Sequence, residues 1–197
     1  MQQHLIRAAA LHDLSAVHDG DAVGHKVHNT DIVGDEQITQ AKRALYLLQQ
    51  IQDLCLHGKV TARIGDEVLE DHGTVSASAL YLLRSLTEDH ETGHENQMIP
   101  CCGHFLVANE DLTEVWISGC PYGTDWKVRQ VPGGVSILTD SGKETFVPME
   151  EYRPEVFRFA DTVEAYYAAC APKVPADAFH ERGYTAFWNE WHRRRNG

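Results

Sequence analysis

Between Val115 and Val147 the chain carries turn chemistry at three places, and this constrains the fold more than any other feature of the 197 residues. Cys120-Pro121-Tyr122-Gly123 puts proline at the second and glycine at the fourth position of a turn. Val131-Pro132-Gly133-Gly134 suits a type II turn, where glycine takes the positive φ, and Asp140-Ser141-Gly142 suits a three-residue hairpin loop. The runs around these turns are short and β-type. Links this brief join neighbouring antiparallel strands, because a parallel pair needs a crossover of about a dozen residues or more. The segment therefore reads as a β-meander, with a further strand over residues 104–108 ahead of it.

On either side the hydrophobic period changes. Ile38, Ala41, Leu45, Leu48, Ile51 and Cys55 advance by threes and fours, which predicts an amphipathic helix over residues 36–57 with Gly58 as its stop. Val60, Ala62 and Ile64 then alternate with Thr61 and Arg63 as in a strand, and Gly65-Asp66 can turn the chain into a return strand at Val68 and Leu69. Ser76 is placed to cap a helix whose stripe is Ala79, Leu82, Leu83 and Leu86. Pro154 suits the first turn of another, striped by Val156, Phe159, Ala160, Val163, Tyr166, Tyr167 and Cys170 and ended by Pro172. A last helix carries Tyr184, Phe187, Trp188 and Trp191 on one face, a stripe suited to the core. The expected fold is α+β: an antiparallel β-meander sheet with helices packed mainly on one face and the C-terminal aromatic helix docked on the core. Residues 1–35, with His4, His12, His18, His25 and His28 among aspartates and glycines, read as an arm preceding a single domain over 36–197.

Composition narrows the class of protein. No apolar run reaches the length of a membrane span, and MQQHLIRAAALHDL lacks the basic and hydrophobic regions of a secretory leader. Five cysteines, an odd number, fit reduced thiols better than a disulfide framework, so a cytoplasmic protein is expected. A formal charge of −12 argues against nucleic-acid binding through the general surface, which needs clustered lysine and arginine. It favours docking to a basic protein partner. The arginines Arg193, Arg194 and Arg195 read as charges complementing a helix C-terminus. Dinucleotide and P-loop glycine patterns and the G-x-S-x-G elbow are missing from the sequence.

One stretch carries metal-type chemistry. His90-Glu91-Thr92-Gly93-His94 satisfies H-E-x-x-H, in which two histidines on one helical face reach a zinc ion while the glutamate polarises its water. Leu82, Leu86, His90 and His94 are spaced by fours, so helical continuation would extend the buried stripe. Gly93 opposes it by about 1 kcal/mol relative to alanine, favouring fraying near Asp89 and a loop through Gln97. The segment resembles the zinc-peptidase motif over five residues. The longer metzincin pattern fails at Gln97 and Pro100, and Glu110 and Asp111 lie in an expected inter-strand loop rather than on a following helix. Cys102, His104 and Cys120, with His90 or His94, would complete a tetrahedral nitrogen-and-sulfur set. Buried thiols packing as small hydrophobes are the competing account.

The block marked by IPCCGHF, GCPYGTDW, EEYRPEVFRFADTVEAYY and GYTAFWNEWHRRR resembles a family of small uncharacterised bacterial proteins. Its strands running into FADTVEAYY bear a faint likeness to SUKH (Smi1-type) proteins, many of which are immunity proteins against secreted toxins. The resemblance implies an acidic binding protein and assigns no single residue a role. Two functions are therefore expected: a noncatalytic cytoplasmic binding protein, immunity-like or inhibitory, for a basic partner; or a zinc protein. The second would use His90, His94, Cys102, His104 and Cys120 as ligands, with Glu91 as general base if it is a hydrolase. The first needs no cofactor, the second needs zinc.

Overall fold

A computed structural model describes residues 57–101, 105–170 and 172–197. The arm at 1–35 and all but the last residue of the helix expected over 36–57 lie outside the described residues; that last residue, His57, opens a strand instead. Strand β1 (His57–Ile64) turns at Gly65, whose φ is +64°, into β2 (Glu67–Thr74). The two pair antiparallel from His57↔Thr74 to Ile64↔Glu67, so the return strand is longer than Val68 and Leu69 alone announce. Helix α1 (Val75–Arg84) begins where β2 ends, with Thr74 at the N-cap position and no side-chain cap bond. Ser76 is therefore not the cap; it is buried in the first turn, and Ser78 Oγ instead donates back to the Thr74 carbonyl at 3.0 Å.

The α+β class expected from the sequence is what the structure shows. Short strands β3 (Ile99–Pro100), β4 (Leu106–Ala108), β5 (Val115–Ile117) and β6 (Gly123–Thr124) precede β7 (Trp126–Val131), β8 (Gly134–Thr139) and β9 (Glu144–Pro148). The meander proper is β7-β8-β9. Its two links have glycine in the left-handed region, Gly133 at φ +83° and Gly142 at +81°. The two earlier runs pair backwards instead, β5 with β4 and β6 with β3, all antiparallel.

Helix α2 (Met149–Ala169) starts at Pro148, well before Pro154, with Glu150 and Glu151 in the first turn where their charge suits the dipole. Pro154 thus sits inside the helix; near the start, the amide it lacks removes only one ladder bond. Val156, Phe159, Ala160 and Val163 are buried, as the stripe predicts. Helix α3 (Ala178–Asn196) opens on Asp177, whose carboxylate accepts from His180 N at 3.0 Å. Gly183 lets α3 lie directly on β4, since a Cβ there would collide with the Leu106 carbonyl oxygen. Phe187 and Trp191 fill the core, and Trp191 Nε1 donates to Glu164 Oε2 of α2 at 3.0 Å. No helix among the described residues is long and apolar enough to cross a membrane.

Candidate functional site

The H-E-x-x-H segment is not helical. Helix α1 ends at Arg84, the chain turns through Ser85–Glu88, and His90 joins the meander through an antiparallel bridge to Val128. His90 N donates to Val128 O at 2.7 Å and Val128 N to His90 O at 2.9 Å. The amide that a continuing helix would have aimed at Leu86 is therefore spent on a strand. The expected fraying near Asp89 occurs; the stacking of both histidines on one helical face does not. His90 is buried, whereas His94 is exposed.

Asp125 organises this loop. Its Oδ1 accepts from His90 Nε2 at 2.9 Å, Met98 N at 3.1 Å and Trp126 N at 2.9 Å, and its Oδ2 from Gly93 N at 3.3 Å. With both partners about nine-tenths buried, the carboxylate holds the imidazole and ties down both ends of residues 90–98. Glu91 faces outward instead, with Lys127 at 2.9 Å and Arg129 at 3.4 Å. The Lys127 hydrogen bond and charge, joined by Arg129, hold its carboxyl below the usual range, so it stays an ionised partner of two cations on β7. Cys102 and His104 lie outside the described residues. Cys120 does meet a thiol, that of Cys101, with the sulfurs 2.6 Å apart. Among the described residues, no group of three or more His, Cys, Asp or Glu side chains is disposed to hold a metal ion.

A second constellation lies where α1, β5 and α3 meet. Glu190 is 1% exposed and takes Arg84 Nε and Nη2, each at 2.8 Å, Arg194 Nε at 2.8 Å and Val115 N at 2.9 Å. Arg84 Nη2 also donates to the Val115 carbonyl. The arginine tail is thus more than a dipole complement: Arg193 reaches Glu114 at 3.2 Å, Arg194 reaches Glu88 at 2.7 Å, and Arg195 reaches Asp161 at 2.6 Å. Sequence periodicity held a clue to Glu190, which falls on the same helical face as Ala186, Phe187 and Arg194.

Above this network sits Trp116. On β5 its neighbours Val115 and Ile117 point inward, so the indole points out and is 55% exposed. It forms the shared wall of two adjoining clefts. One, of about 380 Å³, is lined by Tyr81, Glu88, Asp89, His90, Glu95 and Asn96; the other, of about 470 Å³, by Val107, Asn109, Glu114 and Arg194. Arg84 lies in the walls of both, with its guanidinium already on Glu190 and 5.5 Å from the Tyr81 ring centre. The ring of Tyr81 is occupied by that cation, whereas Trp116 is open to solvent. The rim carboxylates Glu88, Asp89, Glu95 and Glu114 are exposed. A basic or cationic group over an indole with carboxylates around it is the chemistry such a rim offers. The apolar cavity under β1, of about 30 Å³, has room for a water molecule or two and is a packing gap.

Comparison with known proteins gives no match: no family model fits the chain, and no curated protein or solved structure shows significant similarity to it.

Proposed function

We propose that the protein is a noncatalytic cytoplasmic binding protein, of immunity or inhibitor type, that engages a basic protein partner through the Trp116 clefts. The observation that carries this reading is an indole 55% exposed on a rigid strand and ringed by exposed carboxylates, while the arginines beneath it are already engaged by Glu190. An incoming lysine or arginine side chain finds an aromatic face beside the carboxylates of Asp89 and Glu95, Glu88 and Glu114 being already paired with Arg194 and Arg193. The chain's net charge of −12 adds long-range attraction for such a partner. His90 fits this reading as a structural residue, since Asp125 and the bridge to Val128 engage its ring and its backbone.

The test is calorimetric titration with short lysine- and arginine-rich peptides against matched peptides in which those residues are alanine. Trp116→Ala should weaken binding of the basic peptides by about 5- to 30-fold, the range of a partly desolvated cation–π contact. Glu95→Gln should weaken it less, and added salt should weaken it further. Equal binding of basic and alanine peptides, or full affinity in Trp116→Ala, would refute the proposal.

A further inference from the structure

We infer that Cys101 and Cys120 form a redox-modification site, a dithiol that a glutathione-class disulfide converts into an intramolecular disulfide beside the β3–β6 ladder. The argument begins with the frame. Ile99 pairs with Thr124 and Pro100 with Gly123, and Cys101 N continues the pairing by donating to Tyr122 O at 3.2 Å. The ladder has little room to shift: a Cβ on Gly123 would strike the Ile99 carbonyl oxygen, and one on Gly73 of β2 the Pro100 carbonyl oxygen. Thr124 Oγ1 donates to Asp71 Oδ2 at 2.9 Å, fastening β6 to β2 as well. At the Cys101 end of this frame the two sulfurs stand 2.6 Å apart, inside the separation of thiols that merely touch. Both cysteines are only half-buried, so a small disulfide can reach them. Proximity on a fixed backbone is what disulfide formation requires, because the link tolerates little misplacement of its Cα and Cβ atoms.

The chemistry is thiol–disulfide exchange. One cysteine thiolate attacks a sulfur of glutathione disulfide, forming a mixed disulfide and expelling one glutathione thiolate. The second cysteine thiolate then attacks the protein sulfur of that mixed disulfide and expels the other. One sulfur–sulfur bond is broken and one made, the protein loses two electrons and two protons, and two molecules of glutathione are produced. Because the sulfurs are already adjacent, the second step is intramolecular and should outrun release of the mixed disulfide.

The full chain would be equilibrated in glutathione buffers of increasing oxidised fraction, quenched in acid, alkylated and digested for peptide mass mapping. The expected result is a Cys101–Cys120 cross-linked pair, two hydrogens lighter than its parts, that appears with oxidation and disappears with excess glutathione. Cys102→Ser should retain the link. Cys120→Ser should lose it and leave Cys101 carrying glutathione. The wild-type map alone decides if a variant does not fold. Absence of the cross-link at every ratio, or a link that joins Cys120 to Cys102 instead, would overturn the assignment.

Discussion

Replacing Glu190 by glutamine tests the junction of α1, β5 and α3 directly. The carboxylate accepts four donors at 2.8 to 2.9 Å while 1% exposed. Glutamine keeps one acceptor oxygen, turns an amide toward donors, and leaves the side chains of Arg84 and Arg194, 21% and 8% exposed, without their shared counter-charge. Breaking a buried pair from one side costs about 3–5 kcal/mol. The lower end applies, near 3 kcal/mol, because Arg194 keeps Glu88 and Arg84 keeps the Val115 carbonyl. Urea unfolding should show the midpoint falling with an unchanged slope, and Glu190→Leu combined with Arg84→Met should recover much of the loss. The pH dependence gives a second reading. Burial pushes the Glu190 carboxyl up, but the hydrogen bond and charge of Arg84, the Val115 amide and Arg194 together outweigh it and hold the group below 4.5. A depressed folded value means stability fully present above the unfolded pKa and lost as pH falls through the lower folded one. Wild type should therefore lose stability below about pH 4.5 more steeply than Glu190→Gln. A destabilisation under about 1 kcal/mol, with identical acid slopes in the two proteins, would refute the account.

Two further substitutions have clear signs. Gly183→Ala improves helix propensity by about 1 kcal/mol, yet its Cβ meets the Leu106 backbone, so thermal unfolding should show net destabilisation of about 1–3 kcal/mol; a stabilised variant would mean that α3 does not sit this close to β4. Asp125→Ala strips acceptors from the Met98 and Gly93 amides and the His90 ring, and should cost about 2–3 kcal/mol with faster hydrogen exchange confined to residues 90–98; Asp125→Asn, which retains an acceptor oxygen, should cost less.

The elements with a strong local signal were legible in the sequence. Turn chemistry at Gly133 and Gly142 located the meander, and the 3.6-residue stripes located α2 and α3, because one buried face writes itself into the residue spacing. Pairing partners were less legible. Nothing in the letters around Val115 says that β5 turns back to β4, since two- and three-residue strands carry almost no pattern. The H-E-x-x-H spelling allowed a helix beside the loop that Gly93 favoured, and the loop forms for a reason beyond Gly93: helix continuation competed with a bridge to Val128 and a carboxylate 35 residues away at Asp125. Long-range hydrogen bonds of that kind leave no trace in local spacing. Trp116 was legible in principle, because an apolar residue between two apolar neighbours on a strand must face away from them.

The buried ionic network and the exposed indole are one structure rather than two. Val115 is held at both of its backbone groups, its amide by Glu190 and its carbonyl by Arg84, and Trp116 is the next residue. The side chain that faces solvent therefore rides on a backbone fixed from below by charges that α1 and α3 supply. Burying those charges gains little net stability compared with an apolar core. What it does accomplish is to hold the strand still: Glu190 shares one negative charge between Arg84 and Arg194, Glu88 on the rim balances the other cation, and Asp89 and Glu95 are left as the negative charge beside the indole. Loss of Glu190 should then weaken basic-peptide binding as well as folding. Once Trp116 is alanine, the same loss should remove less affinity, because the side chain whose placement Glu190 fixes is gone, so the two substitutions should add in stability and fall short of adding in affinity.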